Sequence, residues 1–325
     1  MQEFAGVRVV ITGGRGFIGH ALARRLLARG ELAGRTIGEI LAFDRPGSGP
    51  DPEPGVVAVD GDIGDAADVA ALLDCEDVAV FHLASVVSGQ GELDFDLALR
   101  VNLDGGRNLL EACRAHGSRP RLVLASTIGV FGGASMPVTV GDTVKQTPET
   151  TYGTTKAICE LLVNDYTRKG FLDGRSARLP TVIIRPGAPN AAASSFASAV
   201  FREPLAGRDY ALPVGLPTRL PVIGVRTAVE GILRLSEVDG AALRNDRAVL
   251  LPSLSVTVAE MLESLRRVAG GRELGAVEVA PDPWIEAIVR TWPQRSSHER
   301  ALALGLPQDD GLDAIVRAYI EDELG

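Results

Sequence analysis

The sequence predicts an α/β fold, with a doubly wound parallel sheet followed by a smaller, irregular C-terminal lobe. From residue 7 to about 185, short apolar runs alternate with longer amphipathic ones, which is the pattern of a parallel sheet covered by helices on both faces. Residues 187–222 break this alternation, because they are rich in Pro, Gly, Ala and Ser. We therefore expect a ligand site at the carboxyl edge of the sheet, beneath the lobe.

Hydrophobic periodicity places the elements along the chain. Apolar runs predict strands at residues 7–12, 38–44, 56–60, 77–82, 121–126 and 181–185. An apolar repeat of 3.6 residues predicts helices at residues 17–30, 65–73, 94–116 and 151–169 and, in the second half, at 226–236, 257–269, 283–290 and 310–323.

Composition excludes several classes of protein. The 325 residues are 46% hydrophobic and 23% charged, which argues against a disordered or membrane-spanning chain. A formal charge of −9 has the wrong sign for binding nucleic acid or an anionic membrane. The three cysteines are far apart and the four histidines lack ligand spacing, so we expect neither a disulfide framework nor a metal site. The N-terminus carries no export signal, and we expect a cytoplasmic protein.

A glycine-rich loop connects the first predicted strand to the first helix. Gly13, Gly16 and Gly19 form a G-x-x-G-x-x-G run, and Phe17 and Ile18 open the helix. Glycines let the backbone turn tightly and approach a pyrophosphate, whose charge is stabilised by free N–H groups at the helix N-terminus. The loop therefore predicts a dinucleotide-binding Rossmann fold.

The end of the second predicted strand indicates which dinucleotide binds. Asp44 stands there and can accept hydrogen bonds from both ribose hydroxyls of NAD. Arg15 in the glycine loop and Arg45 could instead reach the 2′-phosphate of NADP, although Asp44 would repel that phosphate. We expect NAD, with NADP as the open alternative.

Two later strand ends complete the predicted cofactor site. Asp62 and Ile63 stand where they could meet the adenine, while Leu83, Ala84 and Ser85 end the fourth strand beside the dinucleotide. We expect an NAD-binding domain at residues 1–186 with 226–256 returning to it, and a substrate-binding lobe at 187–225 and 257–325.

A tyrosine and a lysine stand four residues apart at the start of a predicted helix. Tyr152 and Lys156 therefore share one helix face. A phenol is almost fully protonated at neutral pH, and a cation about 5 Å away should lower its pKa by about 2. We expect Tyr152 to take the proton of a substrate hydroxyl as hydride leaves for the nicotinamide. Either Ser126 or Thr127 should orient that hydroxyl.

These motifs together resemble the extended short-chain dehydrogenase/reductases over residues 7 to about 240. The resemblance also rests on HLAS at 82–85, Asn102 in RVNLDGG, YGTTK at 152–156 and RPG at 185–187.

The resemblance implies roles for particular residues. Thr127, Tyr152 and Lys156 would form a catalytic triad. Pro186 and Gly187 would lie near the nicotinamide. Asn102 would bend a helix at the cofactor site and, with Tyr152 and Lys156, would also bind the cofactor. The resemblance also implies a homodimer through helices 94–116 and 151–169.

Within this family the sequence favours oxidation of a small sugar acid. Residues 86–106, 152–181 and 185–207 resemble the branch that oxidises a four-carbon sugar acid at C2 with NAD. The 4,6-dehydratases carry an acid pair after the catalytic threonine, whereas Ile128 and Gly129 stand there in this chain. A nucleotide-sugar epimerase is the main alternative. A non-enzymatic NAD sensor is a lesser one, because such a protein would usually have lost the tyrosine or the lysine.

A polyhydroxy carboxylate needs a cation for its carboxylate and polar groups for its hydroxyls. Arg226 first and Arg219 second should bind the carboxylate, because they lie in the segment expected to descend from the lobe onto the sheet. Besides Thr127 and Tyr152, the residues expected to contact the substrate are Ser88, Asn190, Ser194, Ser195, Arg219 and Arg226.

Overall fold

The computed structural model describes residues 6–187 and 192–325. Its strands, in chain order, are β1 (Val7–Thr12), β2 (Glu31–Leu32), β3 (Arg35–Asp44), β4 (Val57–Asp60), β5 (Val78–His82), β6 (Arg121–Thr127), β7 (Thr139–Val140), β8 (Asp173–Leu179), β9 (Thr181–Ile183), β10 (Tyr210–Leu212), β11 (Arg219–Gly224), β12 (Ala248–Leu250), β13 (Leu254–Thr257), β14 (Val277–Val279) and β15 (Arg295–Ser296).

The α-helices of the described residues are α1 (Phe17–Arg29), α2 (Ala66–Ala71), α3 (Ser88–Leu93), α4 (Phe95–Ala98), α5 (Gly105–His116), α6 (Thr151–Arg168), α7 (Phe196–Leu205), α8 (Val225–Glu237), α9 (Gly240–Leu243), α10 (Val258–Val268), α11 (Pro283–Val289), α12 (Glu299–Ala303) and α13 (Leu312–Glu323). None of these helices is both long enough and apolar enough to span a bilayer.

The main sheet has the spatial order β12, β8, β6, β5, β1, β3, and the outer edge of β3 pairs with both β2 and β4. Its neighbouring strands are parallel, except that β2 runs antiparallel to β3. One apolar core lies between the sheet and α1 and α8, and a second lies beneath α2, α5 and α6. Most strands covered on both faces are largely apolar, and β5, VAVFH, is buried at every position. The predicted doubly wound α/β fold is confirmed.

The sixth parallel strand of the main sheet was predicted wrongly. Residues 181–185 were expected to form it, but β8 (173–179) pairs with β6 instead, and β9 (181–183) joins a separate sheet in the order β13, β11, β9. The reason lies in the composition of β8, DGRSARL, which contains no apolar run. Arg175 and Arg178 are buried there, and they form hydrogen bonds or ion pairs with the protein.

The predicted helix at 94–116 is interrupted. It divides into α4, a π-helical segment Leu99–Asp104 and α5. Asn102 lies in the π-helical segment, where the wider turn breaks the regular backbone pattern. The bend that the resemblance implied at Asn102 therefore takes the form of a π-helix.

The lobe has its own core. Helices α7, α10 and α13 pack with β11 and its neighbours into a third cluster of buried apolar side chains. Strand β12 and helix α8 pack instead on the main sheet, through β8 and α1. The carboxyl ends of the parallel strands therefore face the lobe, and the site lies between them.

Candidate active site

The glycine loop packs tightly between two strand ends. Gly13 has a φ of +71°, and a Cβ atom there would lie 2.7 Å from the backbone nitrogen of Ala84. A Cβ at Gly19 would lie 2.2 Å from the carbonyl oxygen of Gly13. The absence of side chains therefore lets α1 begin against the loop and lets the segment after β5 lie directly beside it.

The N-terminus of α1 is suited to a pyrophosphate. The N-cap residue is Gly16, no side chain caps the helix, and its first turn holds no acid. Phe17 and Ile18 line the cavity between the sheet and the lobe. The unsatisfied N–H groups and the positive end of the helix therefore fit a bound anion.

Asp44 lies at the carboxyl end of β3, as predicted. Its carboxylate accepts hydrogen bonds from the backbone nitrogens of Arg15, at 3.2 Å, and Arg45, at 2.9 Å. The Arg15 guanidinium is paired with Asp60, with Nη2 2.8 Å from Oδ1. Because Asp60 already holds that cation, a 2′-phosphate gains less from Arg15 and is still repelled by Asp44. The cofactor site fits NAD.

The two residues predicted near the adenine have different environments. Asp62 lines a second cavity with Arg45, beside the loop after β3. The Arg100 guanidinium, 2.6 Å from the Asp62 carboxylate, is the main cause of a lowered pKa of Asp62. The Ile63 side chain instead lies in the core beneath α2 and α5, with 5% exposure, and its carbonyl accepts from Asn108. Helix packing therefore buries the Ile63 side chain, so a contact of Ile63 with the adenine would have to use its backbone, and that contact stays a prediction.

Asn102 supports the segment after β5 and does not itself face a cavity. It is 1% exposed, and its Oδ1 accepts from Ser85 Oγ at 3.0 Å and from Val86 N at 2.7 Å. Its Nδ2 donates to the Val86 carbonyl at 3.0 Å and to Thr155 Oγ1 at 3.3 Å. All its polar atoms are used inside the protein. Direct cofactor binding by Asn102 is therefore corrected to a positioning role for Leu83–Ser85, which lie beside the glycine loop.

Thr127 and Tyr152 lie next to each other in the lining of the cavity between the sheet and the lobe. Thr127 ends β6, and Tyr152 lies in the first turn of α6, which Thr150 caps by accepting from Gly153 N at 3.0 Å. Both side chains line the cavity, and a hydrogen bond from Thr127 acts to lower the pKa of Tyr152. Of the two hydroxyl candidates, Thr127 faces the cavity, whereas Ser126 is 1% exposed and bonds to Glu160.

Lys156 lies beneath Tyr152. It is 2% exposed, and its Nζ is 5.8 Å from the centroid of the tyrosine ring. Burial raises the pKa of Tyr152 to about 12 and lowers the pKa of Lys156 to about 8. Loss of solvent opposes the expected lowering of the phenol pKa, and it outweighs the hydrogen bond from Thr127. At neutral pH the pair consists of a phenol and an ammonium.

A buried ion pair fixes the two catalytic elements to each other. Arg178 on β8 binds both oxygens of Glu160 on α6, with Nε 3.0 Å from Oε1 and Nη2 2.8 Å from Oε2. Ser126, next to Thr127, donates to the same carboxylate, and so does Gln146. Both charged side chains are at most 4% exposed. Strand β6 and helix α6 are therefore tied together beside the reacting groups.

Three of the residues predicted to contact the substrate, Ser88, Ser194 and Ser195, line the cavity between the sheet and the lobe. Their contact with a substrate stays a prediction. Asn190 lies outside the described residues. Pro186 and Gly187 follow Arg185, which also lines the cavity.

The two arginines predicted to bind a carboxylate lie elsewhere. Arg226 is exposed at the start of α8, where it pairs with Glu321 and Asp322 of the C-terminal helix. Arg219 donates to the Ser255 carbonyl at 2.8 Å, and neither arginine lines the cavity. The prediction is wrong, because the segment turns into β11 and α8 and directs these side chains to the surface.

Sequence reasoning missed Arg202, and it quoted Arg185 in RPG at 185–187 without expecting it to supply a cation to the cavity. Arg185 and Arg202 line it together with Ser198 and Trp292. A signal existed for Arg202, since it interrupts the apolar run ASAVFREPLAG and a charge inside such a run points to a buried partner. Among the described residues, no cluster of His, Cys, Asp and Glu could hold a metal ion.

Known proteins share both the sequence and the fold of this chain. D-erythronate dehydrogenase from Cupriavidus necator is 48% identical over 323 residues, which are 97% of this chain and 98% of that protein. D-erythronate dehydrogenase from Haemophilus influenzae is 39% identical over 98% of this chain and 100% of its own length. A crystal structure described as the nucleoside-diphosphate-sugar epimerase from Agrobacterium tumefaciens superposes with a TM-score of 0.91 and 38% identity, covering 100% of this chain and 97% of that one.

The family model of the NAD dependent epimerase/dehydratase family matches residues 9–243, which include the glycine loop, Asp44 and the catalytic groups. This match confirms the resemblance to the extended short-chain dehydrogenase/reductases and the expectation of an NAD-dependent enzyme. The chain belongs to the NAD dependent epimerase/dehydratase family.

Proposed function

We propose that the chain oxidises D-erythronate at C2 to the 2-oxo acid, with NAD as hydride acceptor. The observation that carries this proposal is one cavity in which Thr127 and Tyr152 face serine hydroxyls and two arginines. A small acid rich in hydroxyl groups matches that lining. The two D-erythronate dehydrogenases, similar over almost the whole chain, support the same substrate.

The cofactor site is assigned from the glycine loop outward. NAD, when bound, supplies an acceptor for hydride at its nicotinamide ring. Residues 13–18 would hold the pyrophosphate, and Asp44 would accept hydrogen bonds from the ribose hydroxyls. Asp62 would border the adenine, and Pro186 with Gly187 would lie toward the nicotinamide. The uncapped N-terminus of α1 and the contact of Gly13 with Ala84 support this arrangement.

The chain itself handles the proton. As the C2–H bond breaks and hydride leaves, the C2 hydroxyl loses its proton and its C–O bond becomes a carbonyl. Tyr152 Oη takes that proton as a phenolate, and Thr127 holds the hydroxyl through a hydrogen bond. The Lys156 ammonium, which is itself 2% exposed, stabilises the phenolate. One hydride and one proton leave the alcohol, which balances the oxidation.

Absorbance of NADH tests the proposal on the purified protein. Wild type with D-erythronate and NAD should form NADH faster than with other aldonates of four to six carbons. Tyr152→Phe should lose about 100-fold or more of the rate while retaining NAD binding, because only the ionisable oxygen is removed. Tyr166→Phe is a matched control, since Tyr166 lies on the same helix but bonds to Glu111 outside the cavity. Absence of NADH with every aldonate would contradict the proposal.

A nucleotide-sugar epimerase is the second candidate, because the structurally similar A. tumefaciens protein is described as one. Such an enzyme would interconvert two nucleotide sugars without net NADH formation. Incubation with nucleotide-diphosphate sugars and analysis of the products distinguishes the two activities.

We propose a homodimer formed through α5 and α6. The outer face of α6 exposes Ile158 at 36% and Leu161 at 62%, and an apolar pair at i, i+3 on a helix surface favours contact with another helix. Light scattering should give twice the chain mass of 34.2 kDa, and Leu161→Asp should give the chain mass. A wild type that elutes as a single chain at micromolar concentration would contradict the dimer.

Location and domain division are further proposals. We place the protein in the cytoplasm, because Cys75, Cys113 and Cys159 are all free thiols. We assign NAD binding to residues 1–186 with 226–256, and substrate binding to 187–225 with 257–325. The pairing of β12 with β8 and the packing of α8 on α1 support this division.

A further inference from the structure

Arg202 is a charged side chain inside the core of the lobe. It lies on α7 next to Val200 and Phe201, which are fully buried, and its own exposure is 3%. Burying a guanidinium is costly unless its donors are all satisfied. The partners of its nitrogen atoms therefore show what the position is suited to bind.

Two of the three nitrogens have partners within the protein. Nε lies 2.7 Å from Oε1 of Glu203, and Nη1 donates to the carbonyl oxygen of Arg185 at 2.9 Å. Nη2 is buried and has no hydrogen-bond partner among the described residues. Glu203 is also shared with Arg208, whose Nε lies 2.7 Å from Oε2. The single negative charge of Glu203 is thus shared between the guanidiniums of Arg202 and Arg208. The three side chains together carry a net charge of about +1.

This uncompensated charge lies on the wall of the substrate cavity. Arg202 and Arg185 both line the cavity, and no aspartate or glutamate among the described residues does. Burial, together with the charge of Arg202, lowers the pKa of the Arg185 guanidinium, so the two cations are close enough to repel each other. A net negative chain thus has a locally positive cavity, which favours an anionic ligand.

We propose that Arg202 determines specificity by binding the carboxylate of the substrate, with Nη2 as the donor. This inference rests on the proposed function, because it concerns the acid group of the molecule that Thr127 and Tyr152 oxidise. A carboxylate has the charge that the cavity lacks, and it accepts hydrogen bonds from a guanidinium in a planar arrangement. Ser194 and Ser195, on the same wall, offer partners to the remaining hydroxyls.

The test compares an acid with its neutral analogue. D-erythronate and D-erythronamide differ in the charge at C1, and wild type should bind the acid at least about tenfold more tightly. Arg202→Met should raise the KM for D-erythronate by roughly 10- to 100-fold with a smaller change in kcat, while affinity for the amide stays nearly constant. Arg202→Lys should also raise KM, because one ammonium cannot bind Glu203, the Arg185 carbonyl and the substrate in the three directions that the guanidinium nitrogens provide.

A matched control separates loss of the substrate contact from disturbance of Glu203. Arg208→Leu removes the other cation bound to Glu203, but Arg208 is exposed and does not line the cavity. Its KM for D-erythronate should equal that of wild type. The affinity of each variant for NAD and its thermal midpoint show whether the variant is folded.

The outcomes distinguish this inference from the proposed function. If wild type oxidises D-erythronate but Arg202→Met or Arg202→Lys leaves KM unchanged, the inference is overturned and the function stands. If the NAD complex binds a carboxylate that it does not oxidise, and Arg202→Met abolishes that binding, the inference stands and the function fails. If wild type binds the acid and the amide equally, or binds neither, the inference is overturned even when no Arg202 variant folds.

Discussion

Replacing Lys156 with Met should move the pH dependence of oxidation upward. In the structure, burial lowers the pKa of the Lys156 ammonium to about 8 and raises the pKa of the Tyr152 phenol to about 12. Tyr152 must lose its phenol proton before it can take one from the substrate, and the Lys156 ammonium favours that loss by stabilising the phenolate. Below the pKa of Tyr152, kcat/KM of wild type should therefore fall about tenfold per pH unit, because the phenolate fraction falls by that factor.

Without the ammonium, the phenolate loses its stabilising charge and the pKa of Tyr152 rises. The Lys156 Nζ lies 5.8 Å from the centroid of the tyrosine ring, and a unit charge at that distance changes a pKa by about 2 at an effective dielectric of about 20, so the variant should be about 100-fold slower at a given pH below the wild-type pKa. The rate should recover as the pH is raised. NADH formation from D-erythronate at saturating NAD, followed from about pH 6 to pH 10, measures both profiles, and separate titration with NAD confirms cofactor binding. Residual activity with an unchanged midpoint would refute the pairing of Tyr152 with Lys156.

Three further predictions concern the cofactor, the surface and the core. Asp44→Ala should weaken NAD binding and improve NADP binding, since the carboxylate no longer repels a 2′-phosphate; a wild type that already prefers NADP in titrations would contradict this. Arg226→Leu should leave the KM for D-erythronate unchanged, because Arg226 pairs at the surface, and a tenfold rise would place it in the site after all. His82 is hydrogen-bonded to Thr12 at 2.7 Å, and burial lowers the pKa of its imidazole to about 3. Between about pH 6.5 and pH 3, His82 is therefore protonated in the unfolded chain but neutral in the folded chain. The free energy of unfolding should therefore fall by up to about 1.4 kcal/mol per pH unit from pH 6.5 toward 3, and denaturant titrations of His82→Gln should lack that part of the slope.

The sequence predicts correctly those strands and helices whose buried side chains are apolar. Strand β5 and helix α6 follow their hydrophobic periods, and their predicted bounds differ from the observed ones by one residue. Strand β8 could not be found in this way, because its burial of Arg175 and Arg178 depends on partners distant in the chain. Hydrophobic periodicity depends only on how favourably each side chain is transferred out of water. The ion pair between Glu160 and Arg178 joins residues 18 apart in the chain, so it leaves no periodic pattern.

The same distinction between local and long-range features separates the predictable and unpredictable residues of the site. The glycine loop and the pair Tyr152 and Lys156 could be predicted because their chemistry depends on spacing within one turn or one helix face. The cations of the cavity could not, since which arginine faces inward depends on how the lobe folds over the sheet. Arg226 and Arg202 both lie on helices, yet one pairs at the surface with α13 and the other reaches the cavity.

The buried pair of Glu160 and Arg178 has a consequence for how such an enzyme diversifies. The pair anchors Thr127 and Tyr152 to the sheet, whereas Arg202 belongs to the separate core of the lobe. Mutations that accumulate on α7 can therefore alter which acid is accepted while the proton-transfer groups keep their positions. Arg178, by contrast, is constrained by Glu160, because its loss would leave the buried Glu160 carboxylate without its ion-pair partner at a cost of about 3–5 kcal/mol. Substrate preference can thus change readily in this fold, whereas the groups that carry out the oxidation are retained.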